Sequence, residues 1–148
     1  MAADVAFQQD YMFVLASTGK EVSIYRLPPS YGGGAAPEFM NSVDLSGTAG
    51  FQHIEVQGDM AYLLNSNLVQ LYQIKPDYTF ATCNALVPSH PVTHMVLEPD
   101  FIHLSRAGFY RGLESFPLNG GQNPLPSPDY NLRHKKVTDI CVVETASR

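Results

Sequence analysis

Two aspartates and two histidines, Asp4, His53, His94 and Asp139, stand at one repeated place in this chain. Each immediately precedes an apolar residue that opens a short β-type segment: Val5, Ile54, Met95 and Ile140. Neutral imidazole and carboxylate are competent ligands for divalent cations. Four of them drawn to one axis could hold a metal or a small ligand. Their spacings of 49, 41 and 45 residues match no local ligand signature, so only the fold can bring them together. The plainer reading makes them polar positions at the starts of successive strands, on a face used for binding other proteins.

The sequence offers little other chemistry. C-x-x-C, H-E-x-x-H and G-x-S-x-G do not occur. Gly19-Lys20 lacks the upstream glycine of a phosphate loop, since position 14 is Val14. His90 and His103 are single imidazoles without an evident partner and read as structural or surface residues. Asp10, Asp59 and Asp100 also recur, but each lies between two apolar segments. Aspartate there organises a turn through its side chain and tolerates left-handed dihedrals, so a structural turn is expected at all three. No cofactor is expected, and the chain reads as non-enzymatic.

The elements that must position these residues emerge from an internal repeat. Val5-Ala6-Phe7-Gln8-Gln9-Asp10 aligns with Ile54-Glu55-Val56-Gln57-Gly58-Asp59 and with Met95-Val96-Leu97-Glu98-Pro99-Asp100. A further apolar residue lies three positions upstream in each copy: Ala2, Phe51 and Val92. After each aspartate comes a second apolar segment: 11–17, 60–66 and 101–107. A third follows at 22–27, 69–74 and 113–118. Tyr25, Tyr72 and Phe116 share one position in that third segment and are expected in the core between units. A weaker fourth strand is expected at 38–45, 79–87 and 130–136. The units therefore run over about 1–48, 49–89 and 90–136, with the first strand of a fourth at 137–148.

Within units the period is two, and β-branched and aromatic residues dominate, which specifies strands. Four antiparallel strands every 40 to 50 residues form the sequence pattern of a β-propeller blade. The blades resemble those of the WD-repeat family: VAFQQDYMFVLAS followed by KEVSIYRL matches its apolar strand, turn and two further strands. The terminal Trp-Asp pair is replaced by Tyr25-Arg26, Tyr72-Gln73 and Phe116-Pro117, and the opening Gly-His pair is missing. The family's side-chain hydrogen-bond network therefore does not carry over; its apolar template and turn do. The resemblance implies an all-β fold in which equivalent positions of successive blades form a ring. Closed propellers have four to eight blades, so three units imply an incomplete ring or one completed by a partner.

Composition narrows the partners. The chain has 148 residues, 45% of them hydrophobic and 16% charged, enough apolar material for a single domain. A net charge of -5 provides no basic stripe for nucleic acid, and the run Arg133-His134-Lys135-Lys136 reads as a solvated turn or edge strand. No apolar run is long enough to span a bilayer. The N-terminus lacks the basic and apolar regions of a signal peptide. Cys83 and Cys141 lie in apolar surroundings and read as free, buried thiols. Together these features predict an intracellular scaffold, cytoplasmic or nuclear, whose partners are other protein chains, by self-association or in a hetero-complex. The alternative is a metal- or ligand-binding propeller, possibly enzymatic, built on the Asp4/His53/His94/Asp139 ring.

Overall fold

Runs of five to seven residues with alternating polarity become strands throughout the computed structural model, which describes residues 2–29, 36–107, 112–119, 123–124 and 130–132. The first sheet contains β1 (Ala2–Gln8), β2 (Tyr11–Ala16), β3 (Glu21–Arg26) and β4 (Glu38–Asp44), antiparallel and in sequence order. The second repeats that order with β5 (His53–Gln57), β6 (Met60–Asn65), β7 (Leu68–Ile74) and β8 (Phe80–Leu86). The third holds β9 (Val92–Leu97), β10 (Phe101–Arg106) and β11 (Leu113–Asn119). Its fourth-strand place is shared by two short pieces, β12 (Asn123–Pro124) and β13 (Tyr130–Leu132). β13 pairs with Leu113–Ser115, and β12 with Leu118 and Asn119. The sequence carries no alternating signal at 123–124, and proline is tolerated there because an edge strand need not donate on both sides. Residues 133–148, with the basic run, Asp139, Cys141 and the start of a fourth unit, lie outside the described residues. Among the described residues no helix is long and apolar enough to cross a membrane.

The repeated aspartates mark equivalent turns. Gln9 and Gly58 precede Asp10 and Asp59 with left-handed backbone, at φ of 54° and 62°. The recurring contact runs through the main chain: the carbonyls of Asp10, Asp59 and Asp100 accept from the amides of Leu27, Ile74 and Leu118 at 2.6, 2.7 and 2.7 Å. Each bond ties the first hairpin of a blade to the end of its third strand.

Two apolar seams hold the three sheets together. Phe13, Leu15, Val22 and Ile24 of the first blade pack against Ile54, Val56, Ala61, Leu63 and Tyr72 of the second. On its other side the second blade turns Tyr62, Leu64, Val69 and Leu71 toward Met95, Ile102, Leu104 and Phe116 of the third. This sandwiching explains why β6 is buried at five consecutive positions whereas β2 alternates. A strand covered on both faces needs an unbroken apolar run, and one covered on a single face needs only every second residue. Cys83 is free but only half-buried, at the margin of the second seam, because it sits on the edge strand β8.

Main-chain bonds repeat across both seams. The Phe51 amide donates to the Gly19 carbonyl at 2.9 Å, and the equivalent Val92 amide donates to Ser66 at 2.9 Å. In each case the residue entering a blade is pinned to the β-turn of the blade before it. Gly19 permits this close approach, since a Cβ there would lie 2.3 Å from the Phe51 carbonyl oxygen.

Candidate functional site

The innermost strands β1, β5 and β9 run side by side, which draws Asp4, His53 and His94 into one line. Asp4 Oδ2 accepts the Ile54 amide at 2.9 Å and stands 3.6 Å from His53 Nδ1. The His53 ring stacks on His94 with centroids 5.9 Å apart and planes 26° from parallel. His94 Nδ1 is itself 2.9 Å from Thr93 Oγ1. Three of the four sequence-selected residues are thus brought together, and Asp139 lies outside the described residues. Stacked imidazoles hold their ring nitrogens in nearly parallel planes, so the lone pairs do not converge on one point. Among the described residues no group of three or more His, Cys, Asp or Glu could hold a metal ion. Glu55, one turn of the pleat beyond His53, has its carboxyl raised above the usual range, first by loss of solvent and then by the Asp4 charge.

A second feature lies on the outer side of the first blade. Register places Val5, Phe7, Met12, Val14 and Tyr25 where the second blade has Ile54, Val56, Ala61, Leu63 and Tyr72. The second-blade set is buried in the first seam; Val5 is 38% exposed, Phe7 62% and Phe39 57%. Tyr25 was expected between units. It is instead half-buried, packed edge-on against Phe39 at 5.7 Å, because no sheet among the described residues covers that side. The covered counterpart is the Tyr72–Phe80 pair at 5.5 Å. A shallow groove of about 450 Å³ crosses the open face over Met12, Val14, Ser23 and Tyr25. Burying aliphatic and aromatic side chains of this size is worth about 1.5–3 kcal/mol each, so this face favours a cover.

The third blade departs from the template in the opposite sense. Where the first blade has Phe13, Leu15 and Ile24, and the second Tyr62, Leu64 and Leu71, the third has His103, Ser105 and Ser115. His103 is not the lone imidazole that its sequence position suggested. Its Nδ1 lies 2.6 Å from Ser115 Oγ and its Nε2 2.6 Å from Glu98 Oε2. The row resembles a serine–histidine–carboxylate relay, but Ser115 is buried at 3% exposure, out of reach of a substrate. Nearby, Arg106 and Glu114 form a buried ion pair at 3.2 Å. The Ser89 amide donates to the Glu114 carboxylate at 3.2 Å, and its hydroxyl bonds both Glu114 and Arg106. Such a pair offsets its desolvation only when hydrogen bonds satisfy the remaining groups. Ser89 supplies its amide and hydroxyl, while the buried Arg106 Nε is left without a partner among the described residues. This network went unread in the sequence; its one trace in the repeat is that His103, Ser105 and Ser115 stand at places apolar in the other copies.

No family model matches the chain, and no curated protein matches it in sequence. Solved structures do match in shape. Hsv2 of Kluyveromyces marxianus superposes with a TM-score of 0.58 over 89% of this chain and 37% of its own length, at 14% identity. Hsv2 of Kluyveromyces lactis gives 0.58 over 89% and 36%, at 17% identity. The chain spans little more than a third of either protein. These neighbours are β-propeller proteins, and the sheets described above fit the blades of an incomplete propeller.

Proposed function

We propose that this chain is a non-enzymatic protein-interaction scaffold: an arc of degenerate WD-repeat-like blades that works inside the cell as part of a larger β-propeller or complex. One observation carries the reading. The open side of the first blade repeats a buried blade face residue for residue, yet Phe7 and Phe39 remain more than half exposed. An apolar face of this extent on a sheet is a contact surface or a hazard. The superposition on a little more than a third of the Hsv2 propellers supports the reading of these sheets as blades of a larger propeller.

The test is the solution behaviour of the purified chain. At micromolar concentration, sedimentation is expected to show association that Phe7→Ser with Phe39→Ser reduces, together with binding of an apolar dye that the same variant loses. One sharp monomeric mass with cooperative unfolding and no dye binding would overturn the reading.

A further inference from the structure

We infer that the open face of the first blade is the receiving half of a blade–blade seam, and that its occupant is a four-stranded antiparallel blade supplied from outside these 148 residues. This rests on the scaffold reading and specifies the partner of that same surface.

The seam between the first and second blades provides the template. There the receiving face consists of Ile54, Val56, Ala61, Leu63 and Tyr72, and the covering face of Phe13, Leu15, Val22 and Ile24. The first blade's open side carries the receiving pattern, so its mate must carry the covering pattern, with aromatic and branched aliphatic side chains at alternate positions of its second and third strands. Two main-chain donors extend the match. Ile54 gives its amide to the Asp4 carboxylate of the preceding blade, and Val5 holds the equivalent register, opposite Val14 as Ile54 is opposite Leu63. Phe51 and Val92 give their amides to turn carbonyls of the preceding blade, and Ala2 holds their place. The occupant therefore opens its inner strand with a side-chain acceptor and presents a turn carbonyl between its second and third strands.

A second copy of this chain does not meet that description through its far end. The covering positions of the third blade are His103, Ser105, Leu113 and Ser115, of which only Leu113 is apolar, and His103 and Ser115 are engaged in the Glu98 network. A polar, hydrogen-bonded face laid on Val5, Phe7 and Val14 would strand its donors and acceptors against hydrocarbon. Head-to-tail closure by copies is excluded on that ground. Two copies meeting open face to open face would set one receiving pattern on another, with no covering pattern between them; a blade of different sequence meets the description.

A tandem chain tests the geometry with a defined probe: residues 1–52 placed directly before Asp4 of the 4–148 sequence. The added blade then relates to the first blade as the first does to the second, through the native connector. The expected result is a melting temperature about 5 °C or more above that of the parent chain. Val14→Glu in the internal copy is expected to abolish the gain, while the same change in the parent chain moves the melting temperature by less than about 2 °C. An unchanged melting temperature, or a gain that Val14→Glu leaves intact, would overturn the inference. So would a discrete dimer of the parent chain that Val14→Glu dissociates, since the occupant would then be a second copy; that outcome leaves the scaffold reading standing. A dye-free monomer in the earlier experiment would remove the scaffold reading whatever the tandem shows.

Discussion

Ile54 donates its amide hydrogen to Asp4 Oδ2 at 2.9 Å, a single charge-assisted bond that joins the inner strands of the first two blades. Asp4→Ala leaves this amide without its acceptor and is expected to lower stability by about 1–3 kcal/mol. Asp4→Asn keeps an oxygen in place and should recover most of the loss. Urea denaturation of the three proteins decides the matter; equal losses in both variants would mean that the charge opposite His53, not the amide cap, is what Asp4 contributes.

Two glycines with similar dihedrals separate backbone strain from crowding. Gly19 has φ of +72° and would place a Cβ 2.3 Å from Phe51 O and 2.6 Å from Phe51 N, whereas Gly58 at +62° has nothing within 4 Å. Gly58→Ala is expected to cost about 1–2 kcal/mol, the left-handed penalty alone. Gly19→Ala adds a main-chain clash across the first seam and is expected to cost about 2–5 kcal/mol. Midpoints in urea should rank the two variants in that order.

Gln9 occupies the first turn at φ 54°, where the second blade uses Gly58. Gln9→Gly relieves a left-handed non-glycine residue and is partly offset by the greater freedom of glycine in the unfolded chain. A net gain of about 0.5–1 kcal/mol is expected, read as a higher urea midpoint with an unchanged slope.

Glu55 gives a pH signature. Its carboxyl is raised above 4.5 by desolvation and by Asp4, so the folded state holds the proton more tightly than the unfolded chain. The stabilising contribution of the protonated form is present below pH 4.5 and lost as pH rises through the raised value. Glu55→Gln removes that loss. Because Glu55 stays exposed on its strand, solvent screens much of the effect. The variant should be only slightly more stable than the parent at pH 7, and its advantage should shrink as pH falls below 4.5.

Tyr62 acts at the other end of the scale. Burial in the second seam, reinforced by the Asp59 charge, pushes its phenol from 10.0 up to about 12. The neutral form favours the fold, so its contribution is full below pH 10 and lost between pH 10 and about 12. Tyr62→Phe should lose less stability over that interval than the parent, measured by urea unfolding at pH 8 and pH 11.

The repeat was legible in the sequence because each blade is a local object. Period-two alternation fixes which residues share a face, and turn residues such as Gly58-Asp59 fix where strands reverse. From these alone came three units, their first three strands, the fourth strands at 38–45 and 79–87 to within one residue at each end, and the alignment that put Asp4, His53 and His94 at equivalent places. The split of the third blade's last strand into β12 and β13 was not legible, since two- and three-residue pairings carry no period.

What lies on a face is a different matter. Tyr25 and Tyr72 occupy the same place in the repeat, yet one is half-buried beside an exposed Phe39 and the other sealed in a seam. Alternation reports the faces of a sheet and carries no term for the neighbour across 10 Å of side chains. Likewise His103 reads as a solitary imidazole until β9, β10 and β11 bring Glu98 and Ser115 to its two nitrogens. Apart from the split last strand of the third blade, the sequence by itself determined the strands and the equivalence of their positions between units, because those depend on neighbours along the chain. Only the tertiary structure decided which apolar face is covered and which polar groups meet, because those depend on how one sheet stacks upon the next.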